Sequence, residues 1–146
     1  MNLEEVIKQE ERYQFKEFNH SDGLKIALKI IENAKATKPK PVGIRIVYED
    51  NLIFHYLMDG RKTAPWLNRK EKTVLESKHS SLYVFYKQED YPSWIEDTTY
   101  AICGGGFPIL INNEVKGAII VSGLAHDEDH DLIIQALEDY LYPKNA

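Results

Sequence analysis

The sequence predicts an α/β chain of the α+β kind, a five-stranded antiparallel sheet layered with helices. Two observations carry that expectation. Short apolar segments come in two pairs, each flanking a tight polar turn, and a tight turn joins strands antiparallel. Around these pairs apolar residues recur three and four apart, the spacing of one helix face. The chain has 146 residues, 43% hydrophobic and 28% charged, an ordinary globular balance. A chain of this length buries roughly 70% of its unfolded surface. A single domain over residues 1–146 is therefore expected, with a core that needs no disulfide or metal to fold. No internal repeat or linker divides it.

Taken in order, residues 3 to 12 set Leu3, Val6 and Ile7 at helical spacing among charges, which predicts a short first helix. Tyr13, Phe15 and Phe18 read as an extended aromatic stretch, the fifth strand. Ser21 or Asp22 can cap the next helix. Leu24, Ala27, Leu28 and Ile31 mark its apolar face, and Lys38-Pro39-Lys40-Pro41 breaks it. Val42, Ile44, Ile46 and Tyr48 alternate with Gly43, Arg45 and Val47; after Glu49-Asp50-Asn51 the run Leu52 to Met58 completes a hairpin. Pro65 suits a first turn and opens a helix carrying Trp66, Leu67, Val74 and Leu75 as far as Ser77. Leu82, Phe85 and Tyr86 favour another helix, and residues 88 to 102 form a polar connection with Tyr91, Pro92, Trp94 and Tyr100. Phe107 to Ile111 and Val115 to Val121 flank Asn112-Asn113, which tolerate positive φ, and make the second hairpin. The last helix begins near Asp127 with acids in its first turn, where the macrodipole favours them. It turns Ile133, Ala136, Leu137, Tyr140 and Leu141 to one side and stops at Pro143.

Charge narrows the function classes. Eighteen lysines and arginines stand against 23 aspartates and glutamates, a net charge of −5, the opposite of what a phosphate-gripping nucleic-acid binder carries. No apolar run approaches the roughly 20 residues that cross a bilayer. The single cysteine, Cys103, has no intrachain partner, and the start Met1-Asn2-Leu3-Glu4-Glu5 lacks the parts of a signal peptide. A reducing cytoplasm is the expected compartment.

Four groups of residues could carry chemistry. His126 and His130 are four apart, so on a helix they would share a face and could share a metal. Asp127 stands where the zinc-protease motif needs glutamate, no third ligand follows, and His126 is expected to precede the helix. A cap at Asp127 is the plainer reading. Gly104-Gly105-Gly106 bares backbone N–H groups that could form an anion-binding concavity; a backbone that must pass close to another element explains it equally well. Arg61, Lys62, Arg69, Lys70 and Lys72 crowd into twelve residues of an acidic chain. There Arg69 offers a planar fork, Lys70 a point charge and Trp66 a flat face to a small carboxylate or phosphate. A solvated helix face interleaved with Glu71 and Glu76 is the competing reading. Cys103 needs a nearby base to act as a nucleophile; otherwise it is a small packed residue before a glycine turn.

Taken together, Trp66-Leu67-Asn68-Arg69-Lys70, Ser80-Ser81-Leu82, Gly104-Gly105-Gly106-Phe107-Pro108-Ile109, Val121-Ser122-Gly123-Leu124 and Glu128-Asp129-His130 resemble the haem-degrading domain superfamily, also called GlcG-like or HbpS-like, in a small uncharacterised branch. The resemblance spans about residues 13 to 142. It implies a profilin-like fold, five antiparallel strands between helices, and symmetric assembly into dimers or larger rings. It also implies haem as a possible ligand. Members often have histidine immediately before the triple glycine, where this chain has Cys103, and a thiolate can itself ligate haem iron.

The expectation is thus a cytoplasmic homo-oligomer with a pocket for a small anionic ligand, haem among the candidates. The expected contacts are Trp66, Arg69, Lys70, Cys103, Gly104, Gly105, Gly106 and His130. The alternatives are a haem-degrading or metal-dependent enzyme using His130 with Cys103 or His126, or an interaction module docking through the aromatic loop around Trp94. His130 is expected near a sheet edge, bonded to a backbone carbonyl of the Ser122-Gly123-Leu124 loop.

Overall fold

The computed structural model describes residues 1–62 and 64–144. Among the described residues, six α-helices pack with one four-stranded antiparallel sheet: α1 (Leu3–Arg12), α2 (His20–Thr37), β1 (Gly43–Tyr48), β2 (Asn51–Leu57), α3 (Pro65–Ser77), α4 (Ser81–Tyr86), α5 (Pro92–Ile95), β3 (Gly106–Ile111), β4 (Glu114–Ser122) and α6 (His126–Leu141). The strand order is β2-β1-β4-β3. Both hairpins are as expected, and Glu49-Asp50 and Asn112-Asn113 make their turns with positive φ.

The fifth strand does not form. Phe15 donates its N–H to Leu110 O at 2.8 Å and makes one parallel bridge with Ile111, and the pairing ends there. The segment has little room, since Tyr13 caps α1 and Asn19 already caps α2. Phe15 and Phe18 are both buried, and their rings meet edge to face at 5.1 Å. A strand would set residues three apart on opposite faces, so this stretch plugs the core rather than extending the sheet.

One face of the sheet carries Ile44, Ile46, Phe107, Ile109, Ile119 and Val121 and is covered by α2 and α6, which supply Ile26, Ile30, Ile133 and Leu137. The opposite face presents Val47, Ala118 and Ile120 to Leu67 and Val74 of α3. On α2 the buried stripe is Gly23, Ile26, Ala27, Ile30 and Ala34, so the expected face is rotated: Leu24 and Leu28 lie outside, 47% and 52% exposed. The cap also differs, because Asn19 precedes the helix and its N–H donates to Asp22 Oδ2 at 2.6 Å. At the N-terminus, Glu10 of α1 accepts from Ser80 N and Oγ and lies 2.7 Å from His79 Nδ1, which fastens α1 to the start of α4. The start of α3, the loop into β3, the end of β4 and the start of α6 meet at one corner through contacts described next.

Candidate functional site

Pro65 opens α3 and sets Trp66 in its exposed first turn. One turn on, the Arg69 guanidinium carbon stands 3.7 Å from the centre of the Trp66 ring, and Arg69 Nε donates to Tyr100 O at 2.7 Å. Among the described residues no protein acceptor takes its terminal nitrogens. Lys70 turns the other way, 2% exposed, and Nζ donates to Val121 O at 2.9 Å and to Asp129 Oδ2 at 3.1 Å. Asp129 also accepts from the N–H groups of Gly123 and Leu124. Burial pushes the Asp129 carboxyl up, and the Lys70 ammonium opposes that shift. The pair ties α3, β4 and α6 together, so Lys70 is a brace whose charge is already matched.

The glycines serve that brace. Gly105 has φ +120, and a Cβ there would stand 2.4 Å from both Lys70 Nζ and Val121 O; a Cβ on Gly104 would stand 2.4 Å from His126 O. Gly104 N–H donates to His126 Nδ1 at 3.0 Å and Gly106 N–H to Ser81 Oγ at 2.9 Å. Two of the three amides are therefore spent inside the protein. The close-approach reading of the triple glycine accounts for what is seen.

The two histidines separate. α6 begins at His126, with Ala125 as its N-cap, not at Asp127. His126 leans on the edge of Phe85, with ring centres 4.8 Å apart. His130 is fully buried in the core beside Phe107 of the edge strand β3, with ring centres 6.0 Å apart; its Nε2 lies 2.7 Å from Gln9 Oε1, and among the described residues its Nδ1 has no partner. Burial, with His126 adding to it, pushes its pKa down to about 4. The loop contact expected of His130 is made by Asp129. No group of three His, Cys, Asp or Glu is placed to hold a metal ion among the described residues.

What opens to solvent is a set of adjoining clefts around Trp66. One, of about 250 Å³, is lined by Arg61, Trp66, Cys103, Ser122, Leu124 and His126, with Lys70 and Asp129 at its floor. Another, of about 270 Å³, lies between Trp66, Arg69, Phe85, Trp94, Tyr100 and Cys103. A third, of about 460 Å³, adds Lys40 and Lys62 beside Arg61 and Trp66. Among the described residues no carboxylate pairs with Lys40, Arg61, Lys62 or Arg69. A larger hollow of about 580 Å³ at the far end of β4 sets Glu49, Asp50 and Glu71 against Lys78 and Lys116, so it holds no excess of positive charge. Cys103 sits where the first two clefts join; burial raises its thiol pKa, with Lys70 and Arg69 pulling the other way. Sequence reasoning placed Arg61 in the cation cluster but missed Lys40 as a wall residue and His126 as the histidine that lines the cleft.

Residues 18–138 match the family described as haem degrading protein HbpS-like. The chain belongs to this HbpS-like family. A UPF0303 protein of Psychromonas ingrahamii is 30% identical over 149 residues, covering 96% of this chain and 93% of that one. Among solved structures, the Ybr137w protein superposes with a TM-score of 0.85 at 27% identity, over 98% of this chain and 88% of that chain. The PduOC complex with haem superposes at 0.68 and 17% identity, over 82% and 92% of the two chains, a likeness of fold. The HbpS-like chain keeps the α+β fold, with four strands where five were expected. Among the described residues no helix is long and apolar enough to cross a membrane.

Proposed function

We propose that this HbpS-like protein binds a small organic anion with a flat body in the clefts around Trp66. The observation that carries this is Arg69, stacked on Trp66 with its terminal nitrogens uncommitted, one of four cations bordering these clefts that no carboxylate among the described residues pairs with, in a chain whose net charge is −5. A guanidinium fork takes a carboxylate or phosphate bidentately, and an indole takes a ring. Either of the two smaller clefts alone falls short of the roughly 300 Å³ at which ligand pockets begin, and together they enter that range. Of the residues expected to touch a ligand, Trp66, Arg69 and Cys103 line these clefts. Lys70 lies at the floor, and Gly104, Gly105, Gly106 and His130 are packed behind the wall. Haem comes to this site from the family's description and from the PduOC complex. Its carboxylates suit the cations and its flat ring suits Trp66. Titrating haem or phenyl phosphate against tryptophan fluorescence tests the reading: quenching that survives in wild type and is lost in Arg69→Ala supports it, and equal binding by both rejects it.

Self-association and a cytoplasmic setting belong to the same reading, and the lone Cys103 suits a reducing compartment. The expected docking loop is less suited, because Trp94 already stacks on Tyr100 at 4.2 Å and Tyr100 is 9% exposed. The free edge of β2 fits a second copy better. The opposite edge of the sheet, β3, contains Pro108 and is crossed by Phe15, both devices that block edge pairing. β2 has neither, and its seven residues Asn51–Leu57 include no Asp, Glu, Lys or Arg. Met58 N–H bonds Val42 O, so by alternation His55 and Leu57 turn their backbone groups away from β1. Antiparallel pairing of β2 with its own copy would satisfy those groups, set no like charges opposite one another, and cover Leu24, Leu28, Leu52 and Tyr56.

A further inference from the structure

Haem iron asks for an axial ligand, and the cleft walls do not supply one. His126 is the histidine that faces the cleft. Its Nδ1 accepts the N–H of Gly104 at 3.0 Å, and a backbone N–H can only donate. The lone pair of the ring therefore lies on Nδ1, already used, and the proton of the neutral imidazole is on Nε2. A ring flip does not reverse this, because it would strip the buried Gly104 amide of its acceptor. An Nε2 that carries hydrogen is a donor to oxygen and not a ligand to iron. His130 is fully buried, and its Nε2 faces Gln9 Oε1. The Lys70 ammonium is bound to Asp129 and Val121 O. Cys103, partly covered where the two clefts join, is a thiol that its burial favours, and its sulfur ligates iron only after losing that proton.

We infer that the cleft takes a planar organic anion without ligating a metal, and that His126 is a specificity-determining donor, presenting Nε2–H to an acceptor oxygen of the ligand. The inference rests on the anion-binding reading above. It adds the class of the ligand: a ring system carrying carboxylate, phosphate or carbonyl oxygens, recognised by Arg69, His126 and the face of Trp66, with nothing asked of a metal at its centre.

Two measurements test it. The first uses the free protein: nitrogen-15 correlation spectra of the labelled full chain at neutral pH, with the His126 signals assigned by their loss in His126→Gln. The Nε2-protonated tautomer is expected, and protonation on Nδ1 overturns the inference. The second compares haem with iron-free protoporphyrin. The two should bind within about threefold of each other, His126→Phe should weaken both about tenfold, and the haem absorption band should not move in the variants. His126→Gln, which keeps a donor, should retain most of the affinity and guards against a folding defect in His126→Phe. Haem binding at least about tenfold tighter than the iron-free ring, or a haem band that shifts in His126→Gln, overturns the inference and leaves the anion-binding reading standing. Failure of both porphyrins and of phenyl phosphate to bind removes the two together.

Discussion

In the first turn of α6, Asp129 and His130 point into the molecule while Asp127 stays in water. The inward pair decides two measurable properties. Removing one partner of the buried Lys70–Asp129 bridge strands a charge, which costs about 3 to 5 kcal/mol, whereas replacing both by apolar residues of like volume costs far less. Lys70→Met and Asp129→Leu singly should therefore lower the melting temperature more than the double variant does. A double variant as unstable as the sum of the two would show that the charges do not act as a pair. His130 titrates from 6.5 in the unfolded chain to about 4 in the folded one. Between those values the unfolded chain binds the proton first, so stability falls as pH drops through that window, by about 3 kcal/mol in all at 1.36 kcal/mol per unit. Asp129, pushed upward, works in the opposite sense at the acid end. Melting curves of wild type and His130→Gln from pH 7 to 4 isolate the histidine. The slope should shrink in the variant, and an undiminished slope assigns it elsewhere. The sequence offered the acids of α6 as dipole partners, and two of the three are that. Asp129 was not legible as a brace because its partner lies 59 residues away on α3.

At the scale of elements, periodicity located every helix of two turns or more and both hairpins, since these are decided by neighbours within a turn. What it could not settle was how each element meets its neighbours. Leu24 and Leu28 satisfied the helical spacing of α2 as well as Ile26 and Ile30 do; the sheet chose the isoleucines, and small Gly23 lets α2 approach Ile46 and Ile53 closely. Tyr13 to Phe18 had strand chemistry but too few residues between two helix caps to form a ladder. The same reasoning separates the two aromatic and apolar surfaces by experiment. Trp94→Ala removes a ring stacked inside its own chain and should reduce stability by about 1 kcal/mol or more without altering assembly. Leu52→Lys together with Leu28→Asp puts charge on the free edge of β2 and on the adjoining α2 face. It should shift sedimentation toward the 16.9 kDa monomer, while far-ultraviolet dichroism stays unchanged. Monomeric wild type at micromolar concentration would dispose of the β2 interface altogether.

Over the whole molecule, 23 acids outweigh 18 bases, yet the bases are not spread evenly among them. Lys8, Arg12, Lys29, Lys38, Arg45, Lys70, Lys87 and Lys116 each meet a carboxylate. Lys40, Arg61, Lys62 and Arg69 border the Trp66 clefts without one. The cation run from Arg61 to Lys72 was visible in the sequence, but its sorting was not: Lys70 is internal, Lys72 lies over Tyr100 and bonds Thr99, and Arg69 alone stands on Trp66. An anion approaching this protein is repelled by its net charge and attracted by one corner, so binding should be strongly salt-dependent. Exposed charges lose most of their reach beyond about 10 Å at 0.1 M salt. The hydrogen bonds of Arg69, made at contact in a partly enclosed cleft, should persist where the longer-range pull of Lys40 and Lys62 fades. Phenyl phosphate affinity should therefore fall as salt rises from 0.02 to about 0.5 M, with Lys40→Ala and Lys62→Ala flattening that dependence. Arg69→Ala should lower affinity about tenfold at every salt concentration. Lys78→Ala, in the hollow at the far end of β4 where acids outnumber bases, should leave affinity within about twofold of wild type. Affinity indifferent to salt, or equal losses from Lys78→Ala and Arg69→Ala, would mean that the anion is not held at this corner.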